Sequence, residues 1–403
     1  MRRFSIGLMV VLLLLGGWNI MPVSAYAEEK GTEPDTAIPA AAVDSVGNYA
    51  QSAALIDVKS GRIIYSKQGD KSLPIASLTK IMTAIVAIEK GKLTDPVRVS
   101  KNAFGKEGSS IYLKLGETIS LADLLYGLML RSGNDAATAI AEHVGGSLEG
   151  FVYLMNAKAE EIGMDNSHFT NPHGLDDKEH YASANDMAKL AAYALRNPVF
   201  QEIVKTRSKK VTREDQPWDS VWTNKNKMLV LYPGSDGVKT GFTKIARRCL
   251  VSSATRDNQQ LVAVTLNDGN DWADHARMLD YGFAHYPLRQ VVEKGQLVED
   301  GAVAKSSFVY PATDAEAKLF TRQIQLTAPG SVADRLGEKG RIKLYLDDRQ
   351  IGSVSLDRLP DNPGAKPTGG AAFKDVALST QTSFGERFTA SLLRVARMLI
   401  GAP

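Results

Sequence analysis

The apolar positions between residues 47 and 287 follow two different spacings, which predict an alternation of strands and helices. The stretch SAALIDVKSGRIIYSKQGD predicts two strands joined at KSG, because apolar and β-branched residues flank this turn signal. The stretch IASLTKIMTA predicts a buried helix that starts at Ile75. Two near-continuous apolar runs, CLVSSAT and QLVAVTLND, predict strands that are covered on both faces.

Three further segments of this region predict helices. LADLLYGLMLRSGNDAATAIAEHV is helical on both sides of a break at Ser132-Gly133-Asn134, SANDMAKLAAYAL begins with an N-cap serine, and NDWADHARMLDYGFAHY predicts a closing helix from Asn270. Strands at both ends with helices between them favour an α+β domain over residues 47–287, in which helices cover an antiparallel sheet.

The pattern changes after residue 287. Residues 288–359 alternate apolar and polar positions, with Ile342, Leu344 and Leu346 on one face, and predict a small all-β domain. Residues 360–382 predict a linker, because this stretch is rich in proline and glycine.

The last segment, residues 383–403, predicts an amphipathic helix with phenylalanines on its apolar face and arginines on its polar face. It is too short and too charged to span a bilayer, so we expect it to lie in the interface of a membrane. The alternative is a helix that docks on the protein's own surface.

The start of the chain has the features of a secretory signal. Arg2 and Arg3 precede an apolar run and the small-residue site VSAYA, so residues 1–27 predict a signal peptide that is cleaved after Ala27. Residues 28–46 predict a polar tether. We therefore expect an exported protein, attached peripherally to the outer face of the cytoplasmic membrane; an uncleaved membrane anchor is the alternative.

Composition narrows the classes of function. The formal net charge of +3 predicts no nucleic-acid partner, because it provides no strong field for a polyanion. Cys249 is the only cysteine and has no local protease signature, so we expect a small buried apolar side chain. His168, His173 and His180 form no H-E-x-x-H pattern, so neither a metal nor another cofactor is expected.

The stretch Ser77-Leu78-Thr79-Lys80 places a hydroxyl and an amine three residues apart, on one face of the predicted helix. A serine becomes a nucleophile when a base takes its proton, and a lysine can be that base when burial lowers its pKa. Alone, the pattern is far more often a helix serine beside a lysine whose amine reaches solvent.

Two more short motifs follow. Ser132-Gly133-Asn134 presents a hydroxyl and an amide at a helix break, and Lys239-Thr240-Gly241 opens a strand with an ammonium and a hydroxyl suited to a carboxylate. Each alone also fits a plain turn or a surface strand. The order S-x-x-K, S-x-N, K-T-G, however, is the signature of penicillin-binding proteins and class A β-lactamases.

On these motifs the sequence resembles the low-molecular-mass penicillin-binding proteins, the serine-type D-alanyl-D-alanine carboxypeptidases of the peptidase S11 family. The resemblance extends through ALIDVKSGRIIYSKQGDKSLPIASLTKIMTA and NPHGLDDKEHYASANDMAKLA, and KTGFTKIARRCLV is most similar to the sporulation-associated branch. It implies a transpeptidase/β-lactamase-like catalytic domain, peptidoglycan stem peptides as substrate and β-lactams as covalent inhibitors.

The resemblance also implies roles for the residues. Ser77 would attack the D-Ala-D-Ala carbonyl, and Lys80 would accept its proton. Ser132 would relay a proton to the leaving D-alanine, while Asn134 orients Lys80 and the substrate. The site residues that would bind substrate are Lys239, Thr240, Gly241 and Phe242, with the backbone N–H of Phe242 in the oxyanion hole beside that of Ser77.

The sequence departs from this family at one place. Many members have an Ala-Gly pair where this chain has Ala246-Arg247. Arg247 and Arg248 add positive charge near the mouth of the site; they either help to bind a carboxylate or face solvent, and we expect them to face solvent. The implied activity is D,D-carboxypeptidase. A D,D-endopeptidase or a β-lactamase with the same nucleophile is the alternative, and a non-catalytic penicillin sensor is disfavoured because all three motifs are intact.

Overall fold

The computed structural model describes residues 46–213, 219–298, 301–358 and 374–375. The predicted signal peptide, all but the last residue of the tether, most of the linker and the amphipathic C-terminal helix lie outside these residues. Within the described part, no helix combines the length and the apolar character needed to cross a membrane.

The larger region contains helices and strands in the predicted alternation. Its elements, in chain order, are β1 (Ser52–Asp57), β2 (Ile63–Lys67), α1 (Lys80–Lys90), β3 (Pro96–Arg98), β4 (Thr118–Ser120), α2 (Leu121–Tyr126), α3 (Asn134–Gly145), α4 (Leu148–Ile162), α5 (Ala184–Ala194), α6 (Pro198–Lys205), β5 (Ser208–Val211), β6 (Ser220–Thr223), α7 (Met228–Leu231), β7 (Ser235–Thr243), β8 (Arg247–Arg256), β9 (Gln259–Leu266) and α8 (Asp271–His285). The two strands around KSG, the helix with its N-cap at Ser183 and the closing helix are confirmed.

A five-stranded antiparallel sheet with the order β2-β1-β9-β8-β7 forms the centre of this region. Successive residues of β8 point to opposite faces, so Leu250 packs toward α8 while Val251 packs toward the helices on the other face. Because both faces are covered, β8 and β9 are buried almost throughout, as their apolar runs predicted. The sheet leaves β7 as an edge strand.

The segment that carries Ser77 starts differently from the prediction. A 3₁₀ turn covers Ala76–Thr79, and the α-helix begins only at Lys80. Ala76 has φ +49°, a left-handed conformation that costs a residue with a Cβ about 1–2 kcal/mol. We call residues 75–79 the Ser77 turn. Because its backbone is strained, contacts with surrounding residues must stabilise it.

Those contacts come from the loop between α4 and α5. A Cβ placed on Gly174, which has φ +82°, would lie 1.9 Å from the carbonyl oxygen of Ala76. The Thr79 hydroxyl donates to the same carbonyl at 2.9 Å and lies 2.7 Å from His180 Nε2. His180 Nδ1 accepts from the Thr170 N–H at 3.0 Å, so Nε2 carries the proton and donates to Thr79.

A second loop, residues 107–117, is fixed by buried charges. The Asp135 carboxylate at the start of α3 accepts from the Ser110 hydroxyl at 2.6 Å and from the Ile111 backbone N–H at 3.1 Å. Farther along the loop, Arg213 and Glu117 form an ion pair at 2.5 Å in which both side chains are 3% exposed. These contacts hold the loop against the start of α3, where Asn134 lies.

The smaller region after α8 is all β apart from short helical turns. Its elements, in chain order, are β10 (Leu288–Val292), β11 (Ala302–Ala304), β12 (Phe308–Pro311), β13 (Phe320–Leu326), α9 (Val332–Arg335), β14 (Gly340–Leu346), β15 (Arg349–Arg358) and β16 (Lys374–Asp375). Ile342, Leu344 and Leu346 are buried on one face of β14, as their alternation predicted. Within the predicted linker, β16 pairs in parallel with β13.

Arg62, at the turn between β1 and β2, joins the two regions. Its guanidinium donates to the Pro311 carbonyl at 2.6 Å and to Glu316 at 2.5 Å, and it lies over the rings of Tyr286 and Tyr310 at 5.1 and 5.4 Å. A buried guanidinium that forms hydrogen bonds along its edge and stacks on aromatic rings holds the two regions together more firmly than a lysine could.

We expect Gly174→Ala to lower the free energy of unfolding by about 2–4 kcal/mol, because the new methyl group adds a clash with the Ala76 carbonyl to the left-handed strain. Gly163→Ala is the matched control: Gly163 has φ +75° and nothing within 4 Å of an added Cβ. Urea denaturation measures both losses. Equal losses would contradict the close contact between Gly174 and the Ser77 turn.

Candidate active site

Lys80 lies at the centre of the candidate site. Its Nζ is 3.0 Å from the Ser77 hydroxyl, 2.7 Å from Asn134 Oδ1 and 2.5 Å from the His173 carbonyl oxygen. The residue is 0% exposed. When the amine is neutral, N–H groups donated to Asn134 and His173 leave its lone pair for the proton of Ser77. The motif S-x-x-K thus places an amine within hydrogen-bonding distance of the Ser77 hydroxyl.

The surroundings favour the neutral form of this amine. Burial holds the pKa of Lys80 well below its ordinary value, and the positive charges of Lys239 and Lys225 lower this pKa further. Asp135 acts in the opposite direction but is a smaller influence. Two buried lysines, Lys80 and Lys239, with the charge of Lys225 nearby, cannot both hold a proton at low cost, so Lys80 can act as a general base.

The two oxygens that orient Lys80 are themselves held in place. Asn134 Nδ2 donates to the Glu107 carbonyl at 2.6 Å, which fixes its Oδ1 toward Lys80. The His173 carbonyl belongs to the peptide bond between His173 and Gly174. Burial lowers the pKa of the His173 imidazole to about 3, so the ring adds no charge.

Ser132 ends a π-helical turn, Gly127–Arg131, and has φ +65°. It lies in the lining of the same cleft as Ser77 and is 4% exposed. In the described part of the chain its hydroxyl has no hydrogen bond to Ser77 or Lys80. The structure therefore brings Ser132 to the site, and its role as a proton relay stays a prediction.

Strand β7 forms the opposite side of the cleft. The Nζ of Lys239 donates to the Thr240 carbonyl at 2.8 Å, and the Thr240 side chain lines the cleft. Burial, and then the charge of Lys225, lowers the pKa of Lys239 to about 7. Lys239 thus lies beneath the cleft surface as a cation that is easily deprotonated.

Gly241 lines the cleft and also permits a close approach between two parts of the protein. A Cβ on Gly241 would lie 3.1 Å from the Ile75 carbonyl oxygen and 3.3 Å from the Leu78 nitrogen. Its small size therefore allows β7 to pack on the Ser77 turn, because any side chain would push the two walls of the cleft apart.

The backbone of Phe242 points into the cleft. The Arg248 carbonyl accepts from the Asp268 N–H, so Arg248 forms its backbone bonds on the β9 side. Phe242 pairs with Arg248, and this pair is therefore a non-hydrogen-bonded one. The N–H of Phe242 is left facing the free edge of β7, where it can act with the N–H of Ser77 on one oxygen.

The cleft has a volume of about 460 Å³ and contains residues that no motif indicated. Lys225 donates to the Ser109 hydroxyl at 3.2 Å, and both side chains line the cleft. Arg248 and Trp272 line its far wall. Arg247 and Arg248 are both exposed, as predicted, and an ion pair with Asp271 also holds the Arg248 side chain at the cleft.

Cys249 pairs with Gly241 across β7 and β8 and is 1% exposed. Burial raises the pKa of its thiol to about 12. The prediction of a small buried apolar residue is confirmed, and a thiol in this state is not a nucleophile.

Comparison with known proteins places this site in a family. The Peptidase S11 profile, described as D-alanyl-D-alanine carboxypeptidase, matches residues 40–270. D-alanyl-D-alanine carboxypeptidase DacF of Bacillus subtilis is 34% identical over 333 residues, which cover 80% of this chain and 82% of that protein. D-alanyl-D-alanine carboxypeptidase DacA of Haemophilus influenzae is 34% identical over 351 residues, 77% of this chain and 85% of that protein.

Solved structures of similar proteins lead to the same assignment. Penicillin-binding protein 5 from Haemophilus influenzae has a TM-score of 0.64 at 29% identity and covers 78% of this chain and 98% of its own. The carboxypeptidase DacD from Francisella tularensis has a TM-score of 0.62 at 26% identity and covers 81% of this chain and 96% of its own. The predicted fold class is confirmed. With the profile covering over half of its length and three family motifs meeting in one cleft, the chain belongs to the Peptidase S11 family of serine-type D-alanyl-D-alanine carboxypeptidases.

Proposed function

We propose that this protein removes the terminal D-alanine from peptidoglycan pentapeptide stems through an acyl-enzyme on Ser77, and that β-lactams acylate the same serine. The observation that carries the proposal is the buried amine of Lys80, 3.0 Å from the Ser77 hydroxyl and depressed in pKa. An amine with a lowered pKa beside a serine can take the proton of its hydroxyl.

Acylation starts when the Ser77 oxygen attacks the carbonyl carbon of the penultimate D-alanine while its proton passes to Lys80. The carbonyl oxygen becomes an oxyanion between the N–H groups of Ser77 and Phe242, and each such donor contributes about 10²–10³ in rate. The terminal carboxylate lies beside Thr240 and the charge of Lys239. This set of contacts selects a substrate that ends in a free carboxylate.

The leaving D-alanine then takes a proton through Lys80 or Ser132, and the C–N bond breaks. Water attacks the ester carbonyl in the second half of the reaction, with Lys80 again as base, and returns the proton to Ser77. The shortened peptide leaves, so the sum of both steps is hydrolysis of one peptide bond.

Two alternatives use the same nucleophile. A β-lactamase needs a group that activates water for fast deacylation, and the carboxylate in the cleft lining of the described chain, Asp271, is already paired with Arg248. A D,D-endopeptidase differs only in accepting a cross-linked peptide in an open cleft. Carboxypeptidase activity is therefore the function we favour.

We further propose that the protein is exported, loses residues 1–27 and binds the outer face of the cytoplasmic membrane through residues 383–403. The sequence supports this: a basic and apolar start precedes a small-residue site, and the last segment has the amphipathic pattern of an interfacial helix. A peripheral attachment there would hold the enzyme near newly exported wall precursors.

Ser77→Ala should abolish both D-alanine release and covalent labelling by a fluorescent penicillin, because the attacking oxygen is lost. Ser109→Ala, a second serine of the same cleft, should keep both. The enzyme is incubated with a pentapeptide and with a cross-linked dimer, and released D-alanine and lost dimer are followed separately. Labelling of the Ser77→Ala protein would refute the nucleophile, and faster loss of dimer than release of D-alanine would favour the endopeptidase.

The pH dependence of kcat/KM should follow the protonation of Lys239. Its pKa is about 7, so the ammonium is present below that pH and is lost above it. For a peptide with a free terminal carboxylate, kcat/KM should fall as pH rises through about 7. Lys239→Arg should move this fall above pH 10, because a guanidinium stays charged. An unchanged profile in that variant would mean that another group titrates.

Removing residues 383–403 should abolish binding to vesicles that contain anionic lipid and leave activity on a soluble peptide unchanged. The truncation keeps β16, so the described fold remains complete. Co-sedimentation with anionic and with neutral vesicles measures the effect. Equal binding by the truncated protein would disprove the anchor.

A further inference from the structure

Arg248 forms part of the cleft wall beside the reacting position. It lies on β8 directly opposite Phe242, the residue whose N–H faces the oxyanion. Neighbouring strands are about 4.8 Å apart, so the Arg248 backbone lies one strand behind Phe242, on the side of β7 away from the scissile carbonyl, and only its side chain can reach the peptide. Its side chain lines the same cleft as Ser77 and Trp272.

The guanidinium of Arg248 is held before any ligand arrives. Nε donates to Asp271 Oδ2 at 3.2 Å and Nη2 donates to Asp271 Oδ1, while the Trp272 ring centroid lies 5.8 Å from Cζ. The Asp271 side chain is 5% exposed and is anchored at the first residue of α8. A side chain restrained in this way loses little rotamer freedom on binding.

One edge of this guanidinium remains available. Asp271 takes the Nε and Nη2 edge, and Nη1 has no hydrogen-bond partner among the residues that the structure describes. The Arg248 side chain is 44% exposed. A planar guanidinium that offers two parallel N–H groups matches a carboxylate, and such a pair is stronger and more specific than a neutral hydrogen bond.

The orientation of the bound peptide decides which of its carboxylates Arg248 can reach. In the proposed function, the terminal carboxylate lies beside Lys239 and Thr240, and the scissile carbonyl lies at Phe242. Arg248 is opposite Phe242, two residues beyond Thr240 along β7, so it lies level with the scissile carbonyl, and its long side chain can reach the residue on the amino side of the scissile bond. The terminal carboxylate already has Lys239 as its cation and does not need Arg248.

We propose that Arg248 is a specificity-determining residue that binds a free carboxylate carried by the residue before the D-Ala-D-Ala unit. The inference rests on the proposed function and deepens it. It predicts a preference for peptides that are acidic at this position over otherwise identical neutral ones.

Arg247 provides the matched control. It is adjacent in sequence, has the same charge and is exposed, but it pairs with Thr243 and does not line the cleft. A general attraction between positive charge and an acidic peptide would involve both arginines. A specific contact would involve Arg248 alone.

The test uses two N-acylated peptides, one ending in Glu-D-Ala-D-Ala and the other in Gln-D-Ala-D-Ala, which differ in one carboxylate. D-alanine release gives kcat/KM for the wild-type protein, Arg248→Gln and Arg247→Gln. We expect the wild-type protein to prefer the Glu peptide about tenfold, a factor typical of one charge-assisted contact. Arg248→Gln should reduce this preference to within twofold, and Arg247→Gln should retain it.

Arg248→Lys is the second variant, because it keeps a positive charge beside Asp271 if the glutamine variant folds poorly. Its preference should lie between those of the wild-type protein and Arg248→Gln, and penicillin labelling reports that each variant is folded. Equal losses for both peptides in the Arg248 variants, or an equal loss of preference in Arg247→Gln, would overturn the inference. Wild-type protein that releases D-alanine from neither peptide would overturn the proposed function itself, and the inference with it.

Discussion

The burial of a single amine governs the design of this site. Lys80 is excluded from water and lies near the charges of Lys239 and Lys225, so its protonated form is the unfavourable one. A buried amine that is neutral still has N–H groups to satisfy, and Asn134 and the His173 carbonyl accept them. The local fold is arranged to place these two oxygens, because an unsatisfied buried donor would be costly.

The positions of those oxygens depend on close backbone packing. Gly174 packs on the Ala76 carbonyl, and Gly241 packs on the Ser77 turn from the other wall. The Arg213–Glu117 pair and Asp135 hold the loop that fixes Asn134. The catalytic geometry is thus transmitted through backbone contacts and buried charges, and only a few of the residues involved touch the cleft.

The sequence predicted those parts of the structure that local patterns encode. Strands buried on both faces, the N-cap at Ser183 and the motif residues around Lys80 follow from spacing and chemistry along short stretches. The carbonyl of His173 could not be predicted, because any residue type provides a carbonyl and only the tertiary fold aims it. Lys225 and Trp272 also have no local signature, since the fold brings them to the cleft from distant polar stretches. The helix start was misplaced at Ile75 because the pattern of apolar residues contains no information on the left-handed turn at Ala76.

The open edge of β7 has a further consequence. A strand edge with unpaired N–H and C=O groups tends to recruit strands from other chains, which leads to aggregation or domain swapping. Here the Ser77 turn packs on the face of β7 at Gly241, beside that edge, so that the edge opens into a cleft. Such a cleft can admit one extended chain end more easily than a sheet. The protein can therefore expose the hydrogen-bonding edge that it needs for peptide recognition without exposing a template for self-association.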